Sequence, residues 1–259
     1  MTGLDNNADS NMLLVDIGNT NLKWAWLRAG RCSPVEAAPY NQNDITACVS
    51  QYWGDLEQPD HLLIASVAGQ QIAQSLTHWS QQQWSLEPEF LVSQASAWGV
   101  KNGYREPQRL GVDRWLTLVA LRQQERGAVC VVDCGTAITI DVMDAQGCHL
   151  GGLILPGFVM MRESLLGRTQ LPQLSGSNYG GLLALDTADA ISAGGIQATA
   201  ALIERVVVET AEKLAGLPRV VLTGSDAPRL VNALKVEFEI DRELVMRGLE
   251  VIAQGGARS

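Results

Sequence analysis

One arrangement of residues occurs twice in this chain: an apolar run that ends in an aspartate, a short turn with glycine and threonine, and a second strand-like run. The first copy is LLVDIGNTNLKW (13–24), and the second copy is AVCVVDCGTAITIDV (128–142). Their aspartates, Asp16 and Asp133, lie roughly 117 residues apart. A repeat at this spacing predicts two related domains, each built around its own sheet and core.

Strand-like and helix-like stretches alternate along the rest of the chain, which predicts an α/β fold. We expect residues 1–11 to be a disordered tail, residues 12–118 to form an N-terminal domain and residues 119–259 to form a C-terminal domain. In the second half, helices are expected between about 184 and 215, with an interruption at Gly194-Gly195.

The composition excludes several classes of function. The chain of 259 residues is 46% apolar and 18% charged, which is typical of a soluble globular protein. Its formal charge of −9 disfavours sequence-independent binding to nucleic acid phosphates. Five cysteines without a CxxC pair and three widely spaced histidines disfavour a zinc site and suit a reducing cytoplasm. No signal peptide and no apolar run of roughly 20 residues is recognised, so we expect no membrane segment.

The first unit, from Asp16 to Lys23, has the residue types that a phosphate-binding turn needs. Glycine lets a backbone approach a ligand closely, and short polar residues supply N–H and hydroxyl groups. Lys23 can add a positive charge, and Asp16 can hold magnesium directly or through water. The alternative is a tight hairpin whose polar residues face solvent. A second acid followed by glycine and threonine, at Asp133, Gly135 and Thr136, favours two turns that act on one polyphosphate.

The segment NGYREPQRLGVDRW (102–115) predicts an ordered loop that enters a helix near Val112. Asp113 then lies in the first turn of that helix, where the helix dipole favours a carboxylate. Two interpretations remain open at this point. Asp113 is either a helix-start acid with Arg114 as its solvated partner, or a general base within reach of a substrate hydroxyl.

The segment VVLTGSDAPRL (220–230) reads as a strand followed by a helix from Ser225. It is either a nucleoside site or a plain strand-to-helix connection capped by Ser225. The chain has no GxxxxGK[ST], GxGxxG or GxSxG sequence and no protein-kinase HRD or DFG set. P-loop, Rossmann, protein-kinase and serine-hydrolase sites are therefore not supported.

With these stretches the chain resembles the type III pantothenate kinases, which belong to the actin, sugar-kinase and heat-shock-chaperone ATPase superfamily. The resemblance rests on DIGNTNLK, GYREPQRLGVDRW, DCGTAITID, GGLILPG (151–157), DTADAI (186–191) and TGSDA (223–227), in that order. It covers nearly the whole chain from residue 12. It implies two related ribonuclease H-like (actin-like ATPase) domains with an active-site cleft between them.

The resemblance further implies ATP-dependent phosphorylation of pantothenate to 4′-phosphopantothenate, the first step towards coenzyme A, by a cytoplasmic homodimer. Asp113 would accept the hydroxyl proton, Asp16 would lie near magnesium, and Asp133 would bind a monovalent cation, potassium or ammonium. The ATP contacts would be Asp16, Ile17, Gly18, Asn19, Thr20, Asn21, Leu22, Lys23 and Thr136. The pantothenate contacts would be Tyr104, Gly111, Val112, Asp113, Arg114 and Thr187.

Three departures from the family pattern and two rival functions complete the sequence-based expectations. Gln170, which lies outside the residues that the structure describes, stands where alanine is frequent before Leu171-Pro172. Ser225 stands where the family usually has glycine, and Asp186 stands where asparagine is common. One rival is another small-molecule kinase of the same superfamily, against which the Tyr104 loop argues. The other is an ATP-binding regulatory protein that uses lobe closure as a switch, although the chain has no separate peptide-binding domain.

Overall fold

A computed structural model describes residues 10–41, 44–124, 127–167 and 179–255 of the chain. The chain forms two compact units, of which the first comprises Met1–Glu125 with Glu243–Ser259 and the second comprises Arg126–Arg242. Residues 1–9 of the expected disordered tail lie outside the described residues. Asn11 is ordered, because its N–H donates to the Asp60 carboxylate at 2.8 Å.

Thirteen strands and six α-helices are present in the described residues. The strands are β1 (Met12–Ile17), β2 (Asn21–Arg28), β3 (Arg31–Cys32), β4 (Glu36–Pro39), β5 (His61–Ser66), β6 (Glu89–Phe90), β7 (Ser96–Ala97), β8 (Val100–Lys101), β9 (Val129–Cys134), β10 (Ala137–Met143), β11 (His149–Pro156), β12 (Arg219–Thr223) and β13 (Phe238–Ile240). The helices are α1 (Ile45–Trp53), α2 (Gln70–Trp84), α3 (Val112–Gln124), α4 (Phe158–Leu166), α5 (Thr187–Ala211) and α6 (Leu244–Ala253). Two 3-10 turns, Pro107–Arg109 and Ala227–Leu230, are also present.

The first unit is built on a sheet with the strand order β3-β2-β1-β5-β6, in which β4 also pairs with β2. Its central strand β1 is antiparallel to β2 and parallel to β5. Every residue of β1 is buried, which explains why the strand is a continuous apolar run rather than an alternating one. The only charged residue of β1, Asp16, is therefore placed one residue before the strand ends, close to the turn that follows.

The second unit repeats this plan with the strand order β11-β10-β9-β12-β13. Its central strand β9 is antiparallel to the strand that follows it, β10, and parallel to the later strand β12. The outer strands β11 and β13 continue the sheet in antiparallel and parallel pairing, respectively. The duplicated strand-turn-strand sequences thus correspond to duplicated sheets, and the predicted α/β class with two related domains is confirmed.

The sequence analysis assigned the C-terminal helix α6 to the second domain, which was expected to start at residue 119. In the structure α6 belongs to the first unit. It lies along α3. Gly248 approaches the Leu116 carbonyl so closely that a Cβ at this position would collide with it. A contact of this kind, between residues more than a hundred positions apart, leaves no local pattern in the sequence.

Two predictions about helices were wrong. Helix α5 continues through Gly194 and Gly195 without a break. An interior glycine costs a helix only about 1 kcal/mol, and Gly195 lies where a Cβ would meet Met161 Sδ at 3.3 Å, so close packing on α4 accounts for it. After Ser225 only the short 3-10 turn Ala227–Leu230 forms, with Pro228 in its first positions.

Helix α5 also differs from the expectation that no segment could span a membrane. Within the described residues it is long and apolar enough to cross a bilayer, by length and composition alone. This is weak evidence, since core helices of soluble proteins pass the same test. One face of α5 carries Ile196, Ala200, Ile203 and Val207, which are buried in the core of the second unit.

Candidate active site

Asp16 and Lys23 form a cross-strand pair at the start of the first turn (residues 18–20), which joins β1 to β2. Lys23 Nζ lies 3.7 Å from Asp16 Oδ2. The register of the hairpin brings these two charges together, because Asp16 is the last but one residue of β1 and Lys23 is the third residue of β2. The Lys23 side chain is 33% exposed and the Asp16 side chain 12%. The charges therefore lie beside the turn at the edge of the core.

The Asp16 carboxylate is held in an unfavourable setting for a negative charge. Its pKa is raised from the ordinary value of 3.8 to about 6, chiefly by burial, with Lys23 acting to lower the pKa and the charge of Asp113 acting to raise it. Asp16 and Asp113 therefore lie close enough for their charges to interact. A divalent cation would relieve this repulsion, so the pair fits magnesium held together with phosphate oxygens and water. The described residues contain no group of three or more His, Cys, Asp or Glu arranged to hold a metal.

The first turn is closed by a hydrogen bond from Gly18 N to Asn21 O at 3.1 Å. A Cβ on Gly18 would meet only the Asn21 carbonyl, at 3.6 Å, which is an ordinary contact. Packing within the protein therefore does not explain the glycine at position 18. Ile17 and Leu22 face each other across the hairpin and are completely buried, so neither side chain is accessible to ATP.

Asp113 lies in the first turn of α3, as the sequence predicted. Its Oδ1 accepts a hydrogen bond from Arg114 N at 2.8 Å. The carboxylate lies over Gly111, where a Cβ would come within 2.5 Å of Asp113 Oδ1. Any side chain at position 111 would therefore collide with the Asp113 carboxylate in its present position. Val112 is buried at 7% exposure, so its side chain serves packing.

Arg114 is not the solvated partner that one interpretation assumed, because the residue is only 5% exposed. Its Nη1 donates to Tyr104 Oη at 2.7 Å, and its guanidinium carbon lies 5.4 Å from the centre of the Tyr104 ring. Asp113, Arg114 and Tyr104 thus belong to one connected group in the first unit. A buried guanidinium next to a phenol is suited to an anionic ligand with hydroxyl or amide groups.

Asn102, which the sequence reasoning did not select, shapes the loop that carries Tyr104. Its Nδ2 donates to the Gln94 and Pro107 carbonyls, each at 3.1 Å. Its Oδ1 accepts from Tyr104 N at 3.0 Å. An asparagine that bonds to the backbone two residues later is a common turn arrangement, and the Asn-Gly pair at 102–103 was the available signal.

The second turn (residues 135–136) joins β9 to β10 and, like the first turn, is closed by a hydrogen bond from its glycine N–H to the first residue of the next strand. Gly135 N donates to Ala137 O at 3.0 Å. Thr136 O accepts from Gly157 N at 3.0 Å, and a Cβ on Gly157 would collide with the Gly135 and Thr136 carbonyls. The loop after β11 is therefore packed directly on the second turn.

The TGSDA loop also packs on the second turn, at Asp133. Gly224 has φ +87°, and a Cβ there would lie 2.5 Å from Asp133 Oδ1 and against the Cys134 carbonyl. Asp226 N donates to that carbonyl at 3.0 Å, and Asp226 Oδ1 pairs with Arg229 Nε at 3.0 Å. The TGSDA loop therefore lies beside Asp133, and no α-helix starts at Ser225, while a nucleoside site at this loop stays a prediction.

Thr187 begins α5, preceded by Asp186 as the N-cap. The Asp186 carboxylate accepts from Asp189 N at 3.0 Å, so aspartate performs the capping that asparagine also performs well. Thr187 contributes to an open, mostly apolar cavity of about 800 Å³ in the second unit. The cavity is lined by Pro156, Met161, Ser164, Leu165, Ala184, Leu185, Asp186, Thr187, Ala190, Ile191, Gly194, Gly195 and Ala198.

Comparison with known proteins identifies the family. The sequence model described as Type III pantothenate kinase matches residues 12–209. The chain belongs to the type III pantothenate kinase family. The expected resemblance and its classification as a kinase are therefore confirmed.

Relatives in the type III pantothenate kinase family cover nearly the whole chain. The type III pantothenate kinase of Nitrosococcus oceani is 40% identical over 249 residues, which are 94% of each chain. That of Laribacter hongkongensis is 36% identical over 247 residues, which are 94% of this chain and 98% of the relative. Both alignments therefore extend over the two duplicated sheets of this chain.

Two solved structures have a similar fold. One is a conserved Campylobacter jejuni protein assigned to the Baf family of transcriptional activators, with a TM-score of 0.61, 23% identity and coverage of 94% of this chain and 98% of that chain. The other is the ethanolamine utilization protein EutJ of Carboxydothermus hydrogenoformans, with a TM-score of 0.53, 14% identity and coverage of 94% and 89%. At these identities the likeness concerns the fold alone.

Proposed function

We propose that this protein transfers the γ-phosphoryl group of ATP to the terminal hydroxyl of pantothenate and so makes 4′-phosphopantothenate, the first step towards coenzyme A. The observation that carries the proposal is the grouping in the first unit of Asp16, Lys23 and Asp113, with the charge of Asp113 acting on Asp16. Phosphoryl transfer to a hydroxyl requires groups that neutralise the phosphate charge and a separate carboxylate that accepts the hydroxyl proton. Asp16 and Lys23 suit the first task, and Asp113 suits the second.

On the donor side, the first turn would bind ATP phosphates through the backbone and side chains of residues 18–21, and Lys23 would offset their charge. Asp16 would hold magnesium directly or through water, and the ion would neutralise phosphate oxygens when it is bound. In the second unit, Thr136 would contact ATP and Asp133 would bind potassium or ammonium. Each turn is closed by its own hydrogen bond from a glycine N–H, and this similarity supports a phosphate-binding role for both turns.

On the acceptor side, Asp113 would accept the proton of the attacking hydroxyl. Gly111 supports this role, because the absence of a side chain there keeps the Asp113 carboxylate accessible next to the loop. Arg114 and Tyr104 would bind pantothenate, whose carboxylate suits a buried guanidinium. Thr187, which helps to line the apolar cavity of the second unit, would be a further contact.

We also propose that the protein is a cytoplasmic homodimer. Large apolar side chains are exposed in the second unit, at Ile154, Leu182, Leu183 and Leu185. Exposed apolar residues that follow one another in this way are typical of a protein interface, and the family resemblance suggests a second copy as the partner. The five cysteines are free thiols, which supports a reducing compartment. The net charge of −9 supports the absence of a nucleic acid partner.

An acceptor screen tests the proposed function against its rivals. The purified protein is incubated with ATP, magnesium and potassium, and with pantothenate, simple sugars, glycerol or no acceptor, while ADP release is followed. We expect ADP release to depend on pantothenate. Release that follows a sugar instead would favour another kinase of the superfamily, and ATP binding without release for any acceptor would favour a regulatory protein.

A further inference from the structure

Tyr40 is attached to the first turn by two hydrogen bonds. Its hydroxyl donates to Gly18 O at 2.6 Å, and its backbone N–H donates to Thr20 O at 3.2 Å. Tyr40 follows β4, whose last residue, Pro39, pairs with Asn21 at the start of β2. A residue 22 positions away in sequence therefore contacts the beginning and the end of the turn.

The direction of the Gly18 carbonyl determines where the following N–H points. The peptide bond is planar and trans, so the C=O of Gly18 and the N–H of Asn19 point in opposite directions. The Tyr40 hydroxyl holds Gly18 O on its own side of the turn. The Asn19 N–H is thereby directed to the opposite side, and backbone N–H groups aligned in this way form anion-binding sites.

The phenol of Tyr40 is well suited to this task. Its ring packs against the buried core of the first unit, which includes Trp24 and Trp53 and fixes the position of the hydroxyl. Burial raises the pKa of the Tyr40 hydroxyl, and the nearby charge of Asp16 raises it further. The hydroxyl is therefore protonated at neutral pH and acts as a donor.

We propose that Tyr40 is a positioning residue for ATP, which orients the Gly18–Asn19 peptide so that the Asn19 N–H is aimed at a phosphate oxygen. The inference rests on the proposed function in taking ATP as the ligand. It gives Tyr40 no contact with ATP or with pantothenate. Loss of the hydroxyl should therefore weaken the use of ATP and leave the use of pantothenate unchanged.

The test compares Tyr40→Phe, which removes only the hydroxyl, with Tyr52→Phe as a matched control on α1, where Tyr52 is 40% exposed. Because Tyr40→Phe removes one hydrogen bond, we expect it to raise the KM for ATP by about three- to ten-fold. Calorimetric titration should show a non-hydrolysable ATP analogue binding more weakly by the same factor. The KM for pantothenate should stay near the wild-type value, and the melting temperature should fall by no more than about 4 °C, the effect of one lost hydrogen bond. Tyr52→Phe should change none of these quantities.

Two results would overturn the role of Tyr40. One is an unchanged KM for ATP together with unchanged affinity for the analogue. The other is a parallel rise of both KM values with a melting temperature lowered by more than about 4 °C, since that would mark a general packing role. If the wild-type protein binds the analogue but does not phosphorylate pantothenate, the proposed function fails while calorimetry still decides the role of Tyr40. No binding of the analogue by the wild type would overturn both.

Discussion

The Asp16 carboxylate has a pKa raised to about 6 although the Lys23 ammonium lies only 3.7 Å away. Burial outweighs the attraction of Lys23, and the nearby charge of Asp113 adds to the cost. Without a bound cation, the ionised carboxylate therefore lowers the stability of the folded protein. It becomes favourable when a cation binds, which is what a magnesium-dependent phosphate site requires.

Replacing Asp16 should stabilise the protein while it abolishes activity. Because the pKa of Asp16 is about 6 in the folded state and 3.8 ordinarily, the folded state binds the extra proton between these values, and stability falls as pH rises through them. Asp16→Asn removes that cost, which is at most about 3 kcal/mol above pH 6. Melting curves without magnesium should show the variant several degrees more stable at pH 8, with a smaller advantage at pH 5. A variant less stable than the wild type at pH 8 would contradict this account.

Asp113→Asn should keep the fold and ATP binding but lose turnover. General base catalysis contributes roughly 10²–10⁴-fold, and kcat should fall by that factor while the affinity for a non-hydrolysable ATP analogue stays the same. Asp55→Asn is the matched control, because Asp55 is exposed and lies outside the site. Near-normal turnover of Asp113→Asn would remove Asp113 from the role of base.

Gly224→Ala should disturb the second turn. The φ of +87° is unfavourable for alanine, and the new methyl group would lie against Asp133 Oδ1 and the Cys134 carbonyl. We expect a lower melting temperature and weaker binding of the ATP analogue. Gly127→Ala serves as the control, because no atom lies within 4 Å of a Cβ at that position. Equal effects of the two substitutions would contradict the importance of the close contact between Gly224 and the second turn.

Activity should depend on a monovalent cation. If Asp133 binds potassium or ammonium, kcat/KM should fall when sodium replaces potassium at equal ionic strength. Asp133→Asn should lose activity in potassium and respond little to the exchange. Steady-state assays in the chloride salts provide the measurement, and equal wild-type rates in sodium and potassium would refute the cation site.

Local sequence pattern was enough to place the residues that end strands or start helices. The positions of Asp16 and Asp133 at strand ends were predicted from apolar runs that stop at an acid. The position of Asp113 in a first helical turn was predicted from a loop that leads into an amphipathic segment. The hairpin register that pairs Asp16 with Lys23 follows from the shortness of the turn.

Contacts between distant segments could not be predicted in this way. Tyr40 reaches Gly18 across 22 residues, and α6 joins α3 across more than a hundred. The helix expected after Ser225 is reduced to a 3-10 turn with Pro228 in its first positions. The break expected at Gly194 is absent, because packing of α5 on its core outweighs the low helix propensity of glycine. These outcomes depend on tertiary packing, which single-sequence patterns do not contain.

The most direct test of the central claim is the mass of the product formed from ATP and pantothenate. Wild-type protein, magnesium and potassium should convert pantothenate to a species heavier by one phosphoryl group, with one ADP per product. The Asp113→Asn variant should form it at least about 100-fold more slowly. Stoichiometric ADP without phosphorylated pantothenate, or equal product formation by the variant, would contradict the account.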